Sequence, residues 1–222
     1  MIGRAHPRRG HLAGARSRWA VCAAAAVAVL AALALAACSG GARPDRVIEG
    51  PAESDRQLTV EGLTLGYPDG MDEAAQEAEA GILPSGFVPF AEAKGVKGQD
   101  VLLVLSAAEP GSGKALADVE AECGEVESAV GTPDRFGTMR TAFSKERAVV
   151  NGMPCLVLDV TLRTPSDRTV HGIFYVLADR DGSVIGQVAG YFENGAYEKD
   201  PVRYDSVFAS VRPVDGADKG QA

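Results

Sequence analysis

Residues 142–163 read AFSKERAVV-NG-MPCLVLDVTLR, two strand-like segments joined by Asn151 and Gly152. Asn-Gly is the pair that a two-residue type I′ hairpin turn prefers, because both central positions need a positive φ. In the second segment Leu156, Leu158, Val160 and Leu162 occupy one face, while Cys155, Val157, Asp159 and Thr161 occupy the other. This alternation is typical of β-strands. The stretch therefore predicts a β-hairpin with one strongly apolar face.

Two further strands, over residues 168–178 and 183–192, are predicted to extend this hairpin into an antiparallel meander, with a turn at Asp181-Gly182. Helices are predicted over residues 71–80, over residues 113–130, where apolar residues recur every three or four positions, and from Asp200-Pro201 onward. Short strands are expected at residues 58–67, 87–93 and 100–106. These elements predict an α+β fold in which helices cover the sheet, an α/β/α sandwich.

Glycines interrupt the predicted strands at positions 172, 186 and 190. Glycine inside a strand often marks the close approach of another backbone or of a ligand. A ligand groove beside Phe174 and Phe192 is one interpretation. Close packing of the terminal helix over these glycines is the other, and apolar sheet faces favour it because they usually form core.

The first 37 residues contain five arginines and no acid, and they end in an apolar run from Trp19 to Ala37. Leu35-Ala36-Ala37-Cys38 resembles the bacterial lipobox, in which small residues precede an acylated cysteine. The resemblance implies a signal peptide over residues 1–37 and lipidation of Cys38, with palmitate-like chains holding the protein on the extracytoplasmic face of the cell membrane. An uncleaved signal anchor is the alternative. A flexible linker over 38–56, a globular domain over 57–213 and a disordered tail over 214–222 are expected.

Charge argues against several partners. Removal of the five arginines with residues 1–37 leaves 17 basic residues against 30 acidic ones, a net charge of −13. A surface this acidic repels phosphate backbones and anionic lipid headgroups. Nucleic acid is therefore excluded as a partner, and contact with the membrane is expected through the lipid anchor alone.

Cys123 and Cys155 are the cysteines that remain after Cys22 leaves with the signal peptide and Cys38 is lipidated. Outside the cytoplasm such a pair is usually a disulfide, which would contribute about 3 to 4 kcal/mol in the chain-entropy model. Two buried free thiols or a redox pair are the alternatives, and the lack of C-x-x-C spacing disfavours the redox pair. Two cysteines and one histidine make a poor zinc site, so no metal or cofactor is predicted.

No catalytic residue is predicted. His171 is the only histidine of the mature chain, and no G-x-S-x-G signature surrounds a serine, so His171 is interpreted as a surface or packing residue. Gly111-Ser112-Gly113-Lys114 departs from a phosphate-binding loop at Ala108 and Ala115. The segment from Asp179 to Gly182 lacks the third oxygen ligand and the distal glutamate of a calcium loop. The protein is expected not to be an enzyme.

Three segments resemble the PsbP-like fold, and within it the LpqN-type lipoproteins: residues 66–71 (GYPDGM), 150–154 (VNGMP) and 207–212 (VFASVR). The resemblance covers residues 57–213 and concerns layout more than motif. It implies a non-catalytic module that binds an envelope protein or small component, or assists assembly. The alternative function is a lipid or glycolipid carrier with an apolar cavity between sheet and helices. A hydrolase assembled from carboxylates is the third alternative.

Overall fold

The structure is a computed structural model that describes residues 46–50, 56–74, 90–109, 111 and 113–214. The strands are β1 (Arg46–Ile48), β2 (Gln57–Val60), β3 (Leu63–Gly66), β4 (Asp72–Ala74), β5 (Phe90–Gly98), β6 (Val101–Ala108), β7 (Met139–Val150), β8 (Met153–Arg163), β9 (Thr169–Ala178), β10 (Val184–Glu193) and β11 (Arg212–Pro213). The helices are α1 (Leu116–Ser128), α2 (Ala196–Lys199) and α3 (Pro201–Ala209).

An eight-stranded mixed sheet dominates the fold, in the order β1-β7-β8-β9-β10-β6-β5-β4. The consecutive strands β7 to β10 pair antiparallel, as the sequence predicts. The β5–β6 hairpin joins the other side of β10. At the edge, β1 pairs with the end of β7 in parallel, so Arg46 lies opposite Ala148 and Ile48 opposite Val150. This parallel strand makes the sheet mixed, and it lies inside the segment that the sequence predicts to be a linker.

One face of this sheet is covered mainly by a second sheet of three strands, in the order β11-β3-β2. Leu58, Val60, Leu63 and Leu65 of that sheet are buried, and they share one core cluster with Leu103, Leu105 and Val188 of the large sheet. The helix α3 adds Val207 and Phe208 to the same cluster. We name this side face A.

The opposite side, face B, carries the other core cluster, to which α1 contributes Val119, Cys123 and Val126. These residues pack with Leu156, Leu158 and Val176 of the large sheet. The apolar spacing that predicts α1 is therefore confirmed, although the helix begins at Leu116 and ends at Ser128.

The predicted fold class, an antiparallel meander covered by helices in an α/β/α sandwich, is wrong. Among the described residues strands far outnumber helices, and a strand pair with β11 does most of the covering on face A. The physical reason is that a strand pair such as β2–β3 has an apolar face of its own, which buries the sheet as effectively as a helix. The predicted helix over 71–80 is replaced by β4 at Asp72–Ala74, and residues 75–80 lie outside the described residues.

The predicted hairpin turn is confirmed by its backbone, since Asn151 has a φ of 47° and Gly152 a φ of 81°. The Asn151 side chain also holds three distant segments together. Its Nδ2 donates hydrogen bonds to the carbonyl oxygens of Ala209 (2.7 Å) and Val211 (2.8 Å), and its Oδ1 accepts one from Gly50 N–H (3.2 Å). The turn residue thus ties the hairpin to the end of α3 and to the segment after β1.

The strand glycines pack against protein atoms. An added Cβ at Gly190 would lie 2.6 Å from Phe208 Cζ of α3, and one at Gly186 would lie 2.4 Å from the carbonyl oxygen of Ser106. Both distances are shorter than real Cβ contacts allow. Packing of the terminal helix is therefore the correct interpretation at Gly190, and at that position no ligand groove is left open.

Candidate functional site

The candidate site is centred on His171, whose ring is hydrogen bonded on both sides to carboxylates. His171 Nε2 lies 2.9 Å from Asp159 Oδ1, and His171 Nδ1 lies 2.9 Å from Glu198 Oε1. The His171 side chain is 14% exposed, against 46% for Asp159 and 59% for Glu198. A mostly buried imidazole therefore bridges two half-exposed acids.

The strand register explains one of these partners. His171 of β9 lies opposite Thr161 of β8. Asp159 is two residues before Thr161, so it is the diagonal neighbour of His171, and its side chain points to the same face of the sheet. Diagonal pairs of this kind are within reach of long side chains. Glu198 arrives from α2, which follows β10 through a turn where Asn194 and Gly195 both have positive φ values of 52° and 68°.

Aromatic rings pack against the imidazole on face A. The Tyr197 ring is 5.0 Å from that of His171 in an edge-on arrangement, and the Phe192 ring is 6.3 Å away. Tyr204 packs on Phe192 at 4.8 Å. The Tyr197 hydroxyl donates to Asp205 Oδ1 at 2.6 Å, which joins α2 to α3. The site therefore has an apolar base and an acidic rim.

These surroundings shift the protonation equilibria of two groups. The hydrogen bond to Asp159 raises the pKa of His171 above its usual value, and Glu198 adds to this, while partial burial opposes it. Burial, with the acceptor Asp205, raises the pKa of Tyr197. The imidazolium form of His171 is thus favoured, and Tyr197 keeps its proton as a hydrogen-bond donor.

Neither ring nitrogen of His171 is free in this structure. A general base needs a ring nitrogen that faces a nucleophile or a substrate, and both nitrogens of His171 face carboxylates instead. His171, predicted to be a surface or packing residue, is mostly buried, with 14% of its side chain exposed. The sequence missed the two acids, and the only available signal was the strand register that brings Asp159 alongside.

Cys123 and Cys155, the predicted disulfide pair, lie on opposite faces of the large sheet. Cys123 of α1 packs on face B, and Cys155 of β8 packs in the face A cluster. Both are buried free thiols in the structure. The predicted disulfide does not form there, because α1 contacts the Leu156 side of β8 and the sheet itself separates the two sulfurs. Burial raises the pKa of both thiols, so they are held in the unreactive form.

The remaining candidate motifs have structural partners. Lys114 Nζ forms an ion pair with Glu122 Oε2 at 2.8 Å. Asp179 Oδ1 accepts hydrogen bonds from the backbone N–H groups of Asp181 and Ser183, so it stabilises its own turn. Within the described ranges, no group of three or more His, Cys, Asp or Glu residues has the geometry to hold a metal ion.

The predicted lipidation site Cys38 and the predicted signal peptide over residues 1–37 lie outside the described residues. In the part of the chain that the structure describes, no helix combines the length and the apolar character needed to span a membrane.

Comparison with known proteins gave limited similarity. No family model matches the chain, and no curated protein matches it. A crystal structure of a Bacteroides thetaiotaomicron protein is 9% identical with a TM-score of 0.47, over 74% of this chain and 50% of that one. This chain thus spans about half the length of that protein.

A solution structure of cyanobacterial PsbP (CyanoP) from Synechocystis is 14% identical with a TM-score of 0.48, over 74% of this chain and 98% of that one. The structural neighbours therefore include a PsbP protein, the family that the sequence resembles. No family assignment follows. At such low identity and TM-score, the likeness says nothing about function, and membership of the LpqN-type group stays a prediction.

Proposed function

We propose that this protein is an exported lipoprotein, anchored through Cys38 to the extracytoplasmic face of the cell membrane, whose domain is a non-catalytic binding or accessory module. The observation that supports a non-catalytic role is the hydrogen bonding of the His171 ring. The only histidine of the mature chain has both ring nitrogens committed to Asp159 and Glu198. The side chain best suited to acid–base work at neutral pH is thus used to hold structure.

The charge of the domain supports a protein partner with a basic surface. All five charged side chains of α1 are acidic: Asp118, Glu120, Glu122, Glu125 and Glu127. Three of them already pair with Lys114, Lys145 or Arg147. The net charge of −13 for the mature chain favours cationic partners by long-range steering. Nucleic acid and anionic lipid surfaces are correspondingly disfavoured.

The anchor is tested by Cys38→Ala in the full chain, expressed in a bacterium that processes lipoproteins. We expect an alkyne-tagged fatty acid to label the wild type and not Cys38→Ala, and the variant to leave the membrane fraction. Cys123→Ala is the matched control, because it removes a cysteine that the structure buries. Equal labelling of wild type and Cys38→Ala would refute the anchor.

The binding role is tested by native mass spectrometry of the mature protein released from detergent. We expect the mass of the lipidated chain alone, with a protein partner recovered after crosslinking in intact cells. A further retained mass of lipid size would favour the carrier alternative. Substrate turnover that is abolished by changing one domain side chain would refute the non-catalytic assignment.

A further inference from the structure

A single imidazole joins the short helix α2 to the large sheet. Asp159 belongs to β8, and Glu198 belongs to α2, so the two hydrogen bonds of His171 connect elements that are far apart in sequence. The helix α2 has four residues, none of them buried, and it begins without a side-chain cap. Besides Glu198, α2 is held by Tyr197, whose ring packs on Phe192 and whose hydroxyl donates to Asp205, and by Lys199 Nζ, which donates to the carbonyl oxygen of Asn194.

We propose that His171 is a proton-operated latch: its charged form fastens α2 to the sheet, and loss of its proton releases α2 and uncovers the aromatic surface beneath it. The device goes beyond the proposed binding function, and it does not depend on the identity of the partner.

The chemistry of the ring requires this dependence on protonation. An imidazolium donates from both nitrogens, so it satisfies Asp159 and Glu198 together. A neutral imidazole has one N–H and one lone pair, and the lone pair would face a carboxylate oxygen. One of the two acids must then move away. Glu198 is the more exposed of the two and lies on the shorter element, whereas Asp159 is fixed within β8.

The groups that face His171 from each packed element favour its protonated form. Asp159 on β8 and Glu198 on α2 are its charged neighbours, and Tyr197 on α2 contacts the ring while it donates to Asp205 on α3. Within the described chain no hydrogen bond or ion pair joins the ring to a cation. Asp159 and Glu198 thus both stabilise the imidazolium, and partial burial of the ring opposes them.

These contacts determine whether the latch opens or closes as the pH rises. Because the pKa of His171 is raised in the folded protein, the latch is fully closed below the ordinary histidine value near 6.5. It opens as the pH rises through the higher, folded value. Phe192 is 1% exposed under Tyr197 and Tyr204, so movement of α2 would expose part of its ring.

The test is hydrogen exchange with mass spectrometry on the full-length processed lipoprotein in detergent, followed from pH 5.5 to pH 9 and corrected for intrinsic exchange rates. In the wild type we expect protection of residues 196–205 to fall by roughly tenfold across the range, the size of one charge-assisted hydrogen bond. In Glu198→Gln the protection should be lower at acid pH and nearly independent of pH.

Glu193→Gln is the matched control, because Glu193 pairs with Arg168 at 3.1 Å and not with His171. In Glu193→Gln the protection of residues 196–205 should fall with rising pH as it does in the wild type. The ring protons of His171, the only histidine left after signal cleavage, report its titration by NMR in the same samples. Protection that is independent of pH in the wild type, or an equal step in Glu198→Gln, would overturn the latch.

Discussion

Asn151→Ala should be among the most destabilising single changes in this domain, although the residue lies at a hairpin turn. The change removes two hydrogen bonds donated by Nδ2 and one accepted by Oδ1, all partly buried. At a net value of about 1 kcal/mol each, their loss costs roughly 3 kcal/mol. Alanine in the left-handed region, where Asn151 has a φ of 47°, costs about 1 kcal/mol more. The expected total is about 4 kcal/mol.

Two further variants separate these contributions. Asn151→Gly removes the side-chain bonds but tolerates the positive φ, so we expect a loss of about 3 kcal/mol. Asn151→Asp keeps one acceptor for Gly50 N–H but turns an oxygen toward the carbonyl groups of Ala209 and Val211. Its stability should fall as the aspartate ionises, so the loss should be larger at pH 7 than at pH 3 when each is compared with the wild type.

The assay is urea unfolding of the mature domain, with the free energy of unfolding obtained by linear extrapolation. Equal stability of Asn151→Gly and the wild type would refute the reasoning, because it would mean that the side-chain bonds contribute nothing. If Asn151→Ala and Asn151→Gly unfold at the same urea concentration, the backbone contribution is refuted instead.

The packing of the domain leads to three other predictions. Gly190→Ala should destabilise by about 1 to 3 kcal/mol, because its Cβ would overlap Phe208, whereas Gly124→Ala in α1, where nothing lies within 4 Å, should stabilise by about 0.5 to 1 kcal/mol; thermal melts compare the two. Cys123 and Cys155 should both react with a thiol reagent in denaturant without reductant, and both should resist it in the folded protein. A count of zero reactive thiols in denaturant would show that the two cysteines form a disulfide. Gln187→Met should leave stability unchanged or raise it by about 1 kcal/mol in urea unfolding, since the buried Gln187 Nε2 has no hydrogen-bond partner among the described residues; a loss above 1 kcal/mol would contradict this.

Predictions of single strands, turns and caps are confirmed where the contacts that form them are local in sequence. The bounds of β8 agree with the predicted 153–163, and Asn151-Gly152 forms the predicted turn. The helix α3 begins at Pro201 after Asp200, whose side chain accepts a hydrogen bond from Arg203 N–H, as the cap and first-position residues indicate. The strand predicted over residues 87–93 instead continues through Gly95 to Gly98, so the turn lies at Gln99-Asp100.

The candidate site was only partly accessible from the sequence. The alternation in β8 places Asp159 on the Cys155 face, and His171 was recognised as the only histidine of the mature chain. What could not be predicted was the approach of Glu198, which depends on the turn after β10 and on where α2 packs. A residue 27 positions away is brought to the ring by tertiary structure alone.

Residue patterns alone predict which strand faces are apolar, where the central hairpin turns and, through the lipobox-like motif, the lipid anchor. Tertiary structure decided what covers those faces: β2, β3 and β11 with α3 on one side, and α1 on the other. It also separated Cys123 from Cys155 by the full thickness of the sheet. The physical reason is that alternation along a strand reports that a face is buried, whereas the partner that buries it is chosen by the packing of the whole chain.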